Sequence, residues 1–214
     1  MPAISDKQKS QVRALYRKGH SARQIAAHFN VSLDAAYYAL RRFQIKRRTS
    51  RENNALLFNN KPLSFHVKEN LTRQEQELKA LGVALYWGEG YKAEKSKGVD
   101  FANSDPKMIR VFLSFLRHIC GVDEKRLRVY LYCHSQKEVP RLIRYWSNIT
   151  LIPQTQFSKP YIAKKASIKG KGMPQGLIHI RYFDKKLLNL IRSWIQEYAN
   201  QSCVGGRAVK YSGL

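Results

Sequence analysis

The first 43 residues contain short apolar groups, each preceded by a hydroxyl residue that can open a helix. Apolar side chains recur there at spacings of three and four, as on one face of an α-helix, in successive short runs. Ser5 and Ser21 each stand three residues before a glutamine, which is a capping-box pattern, and Ser32 precedes the last run. The pattern therefore predicts a small domain of three helices over residues 1–43.

A polar, basic stretch without regular apolar spacing follows over residues 44–70. It contains the run Lys46-Arg47-Arg48 and two pairs of asparagines. This composition differs from that of the segments on either side and is typical of a linker. We therefore expect a weakly structured basic linker between two domains.

From residue 71 onward, the apolar positions switch between the period of a helix and that of a strand. In residues 126–132, leucine and valine alternate with arginine and tyrosine, which predicts a strand with one face in the core and one polar face. The whole pattern predicts an α+β domain over residues 71–200, and the tail over 201–214 is expected to be disordered. Helices are predicted at about 73–88, 104–121, 139–148 and 185–198, strands at about 91–94, 97–103, 126–132, 156–162 and 176–183, and a Lys/Gly-rich loop at 164–172.

The charge balance indicates the class of partner. The chain carries 39 Lys and Arg against 15 Asp and Glu, a net charge of +24 at pH 7. A polyanion such as nucleic acid is the expected partner, because phosphates neutralise a surface that would otherwise repel itself, and anionic membrane lipids are the weaker alternative. No stretch approaches about 18 apolar residues, and the segment MPAISDKQKS lacks the apolar centre of a signal peptide, so we expect a cytoplasmic protein without membrane contact. The cysteines form no C-x-x-C pair, which argues against a disulfide framework or a zinc knuckle.

The segment RALYRKGHSARQIAAHFNVSLDAAYYALRRFQIKRR, residues 13–48, resembles the helix-turn-helix of DNA invertases and resolvases. By this resemblance the third helix enters the major groove of double-stranded DNA, and the basic arm after it lies in a minor groove. The alternative is that the tyrosines pack in the core and the arginines form a solvated helix end. The resemblance implies base contacts for Ser32, Asp34, Ala35 and Tyr38, phosphate contacts for Tyr37, Arg41 and Arg42, and minor-groove contacts for Arg47 and Arg48.

The segment LGVALYWGEGYK, with residues 82–90 in the motif positions, resembles the LAGLIDADG motif of homing endonucleases. The later segments VDFANSDPKMIRVFLSFL, RLRVYLY, FSKPYI and IHIRYFDKKLLNLIRSWI follow the order of that family's helices and strands. The resemblance implies an αββαββα domain whose saddle-shaped antiparallel sheet lies on DNA, with the motif helices of two copies packed in a homodimer. Ala84 and Gly88 lie four residues apart on one helix face, where small side chains permit such packing. The alternative is a core helix that ends at Gly90.

The same resemblance implies the chemistry of the site. Glu89, the last acidic motif position, is expected to bind Mg²⁺ and to act in hydrolysis of the phosphodiester. A basic residue near the last strand assists the reaction in that family, and Lys185 or Lys186 is the nearest match. His179 has no partner at ligand spacing and is interpreted as structural. Positions on the predicted strands and their hairpins are expected to contact DNA, the alternative being a solvated basic surface: Tyr91, Lys92, Lys95, Lys97, Arg128, Tyr130, Tyr132, Lys159 and Arg181.

Two functions from different classes follow from these patterns. One is a sequence-specific, Mg²⁺-dependent DNA endonuclease of the homing type, acting as a homodimer. The other is a transcription regulator whose LAGLIDADG-like domain has lost cleavage, as in some bacterial sporulation regulators. Glu89 favours the enzyme, whereas Trp87, in place of the first acidic motif residue, favours the regulator. A transposase or recombinase is disfavoured, because no set of three spaced carboxylates and no nucleophile domain is recognisable.

Overall fold

The computed structural model describes residues 3–163 and 174–203, which belong to two compact units divided between Pro62 and Leu63. The predicted Lys/Gly-rich loop at 164–172 lies outside the described residues, as does all but the start of the predicted tail. No described helix is both long enough and apolar enough to cross a membrane.

The first unit contains the predicted helices with their predicted caps. The Ser21 hydroxyl accepts a hydrogen bond from the backbone N–H of Gln24 at 3.2 Å, and Ser32 accepts one from Ala35 at 3.1 Å. These bonds satisfy N–H groups that have no partner within the helix. The helices are α1 (Lys9–Arg17), which a 3-10 turn at Asp6–Gln8 precedes, α2 (Ala22–His28) and α3 (Leu33–Arg42). Their apolar faces meet in a small core that includes Val12, Ile25, Ala36, Leu40 and Phe43.

The structure differs from the prediction in the expected linker, where α4 (Ser50–Asn60) forms. Thr49 accepts a hydrogen bond from the backbone N–H of Glu52 at 3.2 Å, and the Glu52 carboxylate accepts one from the backbone N–H of Thr49 at 2.6 Å. This reciprocal capping box starts the helix, although the polar composition of the segment conceals it. Residues 63–70 belong to the second unit, where Phe65 is buried in the core.

The second unit has the predicted α+β class. It contains α5 (Arg73–Glu89), β1 (Val99–Asn103), α6 (Pro106–Ser114) with a π-helical turn at Phe115–Ile119, β2 (Leu127–Cys133), α7 (Val139–Thr150), β3 (Tyr161–Ile162), β4 (Leu177–Tyr182) and α8 (Lys185–Cys203). The described strands form one sheet in the order β1-β4-β2-β3. Strand β4 pairs antiparallel with β1 and β2, whereas β2 and β3 pair in parallel. The expected antiparallel sheet and αββαββα order are therefore corrected to a mixed sheet and the order αβαβαββα.

The segment 91–94, predicted as a strand, is a loop, and a side chain of α8 bonds two of its carbonyl groups. Arg192 of α8 donates to the carbonyl oxygens of Lys92 and Ala93 at 2.7 and 2.9 Å. Backbone groups satisfied in this way need no neighbouring strand. As a result, a single strand, β1, connects α5 to α6.

The core of the second unit lies between the sheet and its helices. In β2 the leucines and Val129 are buried, while Arg128, Tyr130 and Tyr132 are half-buried on the opposite face. The buried strand residues join side chains of α5, α6, α7 and α8 in one cluster. The opposite face of the sheet carries no described helix, so its polar and aromatic side chains form an open face.

Candidate nucleic-acid interface

The open face of the sheet brings side chains from separate strands into rows. Asp100 of β1 lies opposite Arg181 of β4, which lies opposite Arg128 of β2. Side chains opposite each other on one face are about 5 Å apart, so the members of a row can contact one another. The next row consists of Ala102, His179 and Tyr130.

Aromatic and cationic side chains stack on this face. The Arg181 guanidinium lies over the Tyr130 ring, 4.6 Å from its centroid. Tyr132 stacks on Tyr161, with ring centroids 5.2 Å apart, and Tyr161 is 51% exposed. Proteins use such groups to contact phosphates, sugars and unstacked bases. The structure thus brings four of the predicted DNA-binding residues, from β2 and β4, onto one surface: Arg128, Tyr130, Tyr132 and Arg181.

The remaining predicted contacts of this unit lie at the edge of the sheet, and one of them is already engaged. The Lys92 ammonium donates to the carbonyl oxygens of Trp87 and Gly90, at 2.6 and 3.0 Å. A cation at this position also interacts favourably with the C-terminal end of α5. The predicted contacts in the α5–β1 loop and before β3 are all exposed: Tyr91, Lys92, Lys95, Lys97 and Lys159.

Glu89 is the last residue of α5, and the chain turns directly from it onto the sheet. The Tyr91 N–H donates to the carbonyl oxygen of Asp100 at 2.8 Å. A Cβ on Gly90 would lie 2.4 Å from the carbonyl oxygen of Tyr86, so only glycine fits this turn. Burial raises the pKa of Tyr86 to about 12, and its protonated hydroxyl donates to the carbonyl oxygen of Tyr91 at 3.0 Å. These contacts hold Glu89 beside β1.

A cavity of about 510 Å³ lies where the end of α5 meets the open face. Two carboxylates line it, Glu89 and Asp100, together with His179 and Arg181. Asp100 is bound, since Nδ1 of His179 lies 2.7 Å from its Oδ1 and Nε of Arg181 donates to its Oδ2 at 2.8 Å. Glu89 is exposed and has no hydrogen-bond partner among the described residues. Of the two carboxylates, Glu89 is the one open to a ligand.

The electrostatics keep Asp100 charged. Burial raises the pKa of its carboxyl group, but the hydrogen bond from His179 and the interactions with the Arg181 guanidinium lower it, and the pKa lies below its ordinary value. The pattern of the sequence assigns no role to Asp100 and only a structural one to His179. The alternation of buried and polar positions along each strand could have shown that Asp100 and His179 lie on the same face of the sheet as Arg128 and Tyr130.

Neither of the lysines predicted to be catalytic lines the cavity. The Lys185 ammonium donates to the carbonyl oxygens of Glu94 and Ser96, both at 2.9 Å. The backbone N–H of Lys186 donates to the Asp184 carboxylate at 2.8 Å, where that carboxylate opens α8. The structure therefore assigns Lys185 to the support of the α5–β1 loop and brings neither lysine to Glu89.

The side of α5 that faces away from the core is apolar and open. Leu81 is 50% and Trp87 49% exposed, and Ala84 and Gly88 are exposed on the same side. A Cβ on Gly88 would meet no atom within 4 Å. The predicted dimer contact is thus a helix face that no described part of this unit covers.

In the first unit, one side of α3 exposes the residues predicted to read bases. Tyr38 is 58% exposed. Tyr37 is half-buried, and the Arg47 guanidinium lies 4.9 Å from the centroid of its ring. Arg42 forms an ion pair with Asp6, so its guanidinium is engaged within the unit. The other exposed or half-buried members of the predicted set are Ser32, Asp34, Ala35 and Arg41.

Arg48 is part of the fold of the first unit. Its guanidinium donates to the carbonyl oxygens of Tyr16 and His20 at 3.0 and 2.6 Å, and lies 4.1 Å from the centroid of the Tyr16 ring. Tyr16 lies in the last turn of α1 and His20 lies just beyond that helix, so the guanidinium bonds backbone oxygens where α1 ends. In this structure the Arg48 side chain is engaged within the unit, and Arg47 is the exposed arginine of the pair.

The protein supplies few ligands for a metal ion at this cavity. Among the described residues, no group of three or more His, Cys, Asp and Glu side chains could hold a metal ion. Mg²⁺ is often held by one or two carboxylates, with substrate phosphates and water as its other ligands. Glu89 beside Arg181 could supply one carboxylate ligand of such a site, and the remaining ligands would have to come from a phosphate-bearing ligand and water.

Comparison with known proteins finds no matching protein family, curated protein or solved structure. The functional assignment therefore depends on the residues of this chain and their geometry.

Proposed function

We propose that the protein is a sequence-specific endonuclease of double-stranded DNA, of the homing type that residues 82–90 resemble, which hydrolyses phosphodiester bonds in the presence of Mg²⁺. The observation that carries the proposal is the position of Glu89. Its exposed carboxylate borders the cavity beside Arg181, at the edge of the open face. A carboxylate there repels the phosphates that the arginine attracts, unless a cation joins the two.

Each part of the chain has a role in this proposal. Glu89 would hold Mg²⁺, which when bound polarises a phosphate oxygen and activates water. Arg128 neutralises phosphates of the DNA backbone, and Tyr130 and Tyr132 contact sugars and base edges next to those phosphates. The exposed side of α3 reads bases in a major groove, so the two units together select the site. Because they are joined in one chain, each raises the local concentration of the other on DNA.

A homodimer is proposed from the open face of α5. Leu81, Ala84 and Gly88 lie on one side of the helix at spacings of three and four, and the two small residues permit a second helix to come close. Two copies packed across this face bring together two Glu89 carboxylates. Each copy would then cleave one strand of the duplex, and a near-palindromic target would match the two-fold symmetry of the dimer.

One observation favours a second function, regulation of transcription by DNA binding without cleavage. Lys185 and Lys186 do not line the cavity that Glu89 borders. A regulator needs only the exposed side of α3 and the open face of the sheet, and it needs no group beside a reacting phosphate.

Substitution of Glu89 tests the proposal. Purified protein is incubated with Mg²⁺ and the DNA that flanks its own gene, and the cut ends are sequenced. Glu89→Gln keeps the shape of the side chain and removes its charge, so cleavage should fall by several orders of magnitude, while binding in EDTA should stay equal or tighten. Glu94→Gln is the matched control, because Glu94 is an exposed carboxylate in the next loop that does not line the cavity.

The outcomes separate the two functions. Cleavage by Glu89→Gln at the rate of the unmodified protein would overturn the endonuclease mechanism. If neither the unmodified protein nor Glu94→Gln cuts any of this DNA, but both bind a promoter-like site, the protein is a regulator.

A further inference from the structure

We infer that His179 is the general base of the hydrolysis, that Asp100 positions it, and that Arg181 binds the reacting phosphate. The inference rests on the proposed endonuclease function. It adds to Glu89 two residues, Asp100 and His179, to which the resemblance to the LAGLIDADG motif gives no catalytic role, and it narrows the expected DNA contact of Arg181 to the reacting phosphate.

His179 and Asp100 form a bonded pair on the open face of the sheet. Nδ1 of His179 lies 2.7 Å from Oδ1 of Asp100, and the two side chains are 24% and 19% exposed. In the register of β1 and β4, Asp100 lies opposite Arg181 and therefore one row away from His179. Residues at this diagonal spacing are within reach of each other. Paired strands, rather than a loop, hold both members of the pair, so their geometry is set before a ligand binds.

The bond to Asp100 determines which nitrogen of His179 is open. A carboxylate only accepts hydrogen bonds, so Nδ1 of His179 is the nitrogen that donates to Asp100, and in the neutral ring Nε2 is then the nitrogen with the lone pair. Nε2 has no hydrogen-bond partner among the described residues, and His179 lines the cavity. The Tyr130 ring stands edge-on to the imidazole, with centroids 5.7 Å apart and planes at 77°, and so limits rotation of the ring. In its neutral form, an imidazole held in this orientation at the edge of a cavity can act as a general base.

Arg181 shares the carboxylate of Asp100 and supplies the phosphate contact. Its Nε donates to Oδ2 of Asp100 at 2.8 Å, which leaves the terminal nitrogens of the guanidinium for a ligand. A guanidinium held along one edge presents its other N–H groups in a plane, which suits two phosphate oxygens. A phosphate on Arg181 lies in the cavity that His179 and Glu89 also line.

The proposed step balances without a further reactant. A water oxygen attacks phosphorus and forms a new P–O bond as the bond from phosphorus to one sugar oxygen breaks. The proton lost by the water goes to Nε2 of His179, and the Asp100 carboxylate stabilises the resulting imidazolium. The leaving sugar oxygen takes a proton from solvent, and His179 returns its proton to solvent before the next turnover.

The competing explanation is that the pair only links β1 to β4. If His179 is a base, its loss slows the chemical step, and an added base can restore the rate. If the pair only links the strands, its loss lowers stability, and an added base restores nothing. His179→Ala removes the base and leaves space for free imidazole. On the DNA that the unmodified protein cuts, we expect kcat to fall about 100- to 1,000-fold, KM to stay close to its value, and added imidazole to restore cleavage in proportion to its concentration.

Further variants complete the test. His179→Gln keeps an amide that can bond Asp100, so it should fold as the unmodified protein does and still lose the same activity. Asp100→Asn should lower kcat without rescue by imidazole, because the base is present but no longer held in its tautomer. His118→Ala is the matched control, since His118 is exposed on the π-helical turn and does not line the cavity.

Normal cleavage by His179→Gln, or a loss in His179→Ala that imidazole does not restore, would overturn the role of His179 and leave the endonuclease function standing. Absence of cleavage by the unmodified protein would overturn both.

Discussion

Gly82 of α5 packs directly against Phe115 of the π-helical turn, so that a Cβ at position 82 would stand 2.2 Å from Cγ of the phenylalanine ring. Both residues are buried. Elements of a core come this close only where one of them has no side chain. The close approach of α5 to the π-helical turn therefore depends on the absence of a side chain at Gly82.

A methyl group at position 82 should therefore destabilise the second unit. Gly82→Ala is expected to lower the free energy of unfolding by about 1–3 kcal/mol through overpacking, despite the better helix propensity of alanine. Gly88→Ala is the matched variant, and it should raise that free energy by up to about 1 kcal/mol, because a Cβ there meets no atom within 4 Å. Urea unfolding at protein concentrations that keep the chain monomeric measures both, and equal stabilities would contradict the packing described.

Ala84→Leu tests the proposed dimer. A large side chain at a close helix contact should cost about 1–3 kcal/mol of association free energy through overpacking. Sedimentation equilibrium should then show a weaker dimer, whereas Ala55→Leu, the same substitution at an exposed position of α4, should leave the association unchanged. A monomeric unmodified protein, both alone and on DNA, would exclude this interface.

Substitution of Arg48 should lower the stability of the first unit, whereas substitution of its neighbour Arg47 should weaken DNA binding. Arg48→Ala removes the hydrogen bonds from the guanidinium to the carbonyl oxygens of Tyr16 and His20, so we expect a loss of about 1–3 kcal/mol in stability of the first unit. Arg47→Ala should change the melting temperature much less but weaken DNA binding, and it should reduce the slope of log K against log salt by about 1, because one cation is lost from the minor-groove arm. Thermal melting and salt titrations separate these effects, and equal melting temperatures would remove the structural role of Arg48.

The two units should separate at the boundary that the structure defines. A fragment of residues 1–62 should bind DNA without cutting it, and 63–214 should keep any nuclease activity with lower affinity, because the tether is lost. A fragment that starts at residue 71 should melt at a lower temperature than 63–214. It lacks Phe65 of the core and Ser64, whose hydroxyl donates to Asp184 at 2.6 Å. Equal affinity of 63–214 and the full chain for DNA would count against a DNA-binding role for the first unit.

Local signals predicted most of the elements. Ser21 and Ser32 cap the helices that their spacing indicates, and Arg73–Glu89 forms the helix predicted over 73–88. Such features depend on neighbouring residues, so a short stretch of sequence contains them. The α4 helix was recognisable in the same way, from Thr49 and Glu52, but its polar composition resembles that of a linker.

The sequence by itself determined the strong cationic charge, the alternation that leaves one polar face on β2, and the place of Glu89 at the end of a helix. Only the tertiary structure decided which charged groups are open and which are engaged. Asp100 and His179 are 79 residues apart along the chain, and it is the pairing of β1 with β4 that joins them. Likewise, Lys185 is engaged because a loop distant in sequence brings its carbonyl groups to it. Contacts between distant segments follow from strand register and close packing, and neither is encoded in the spacing of nearby residues.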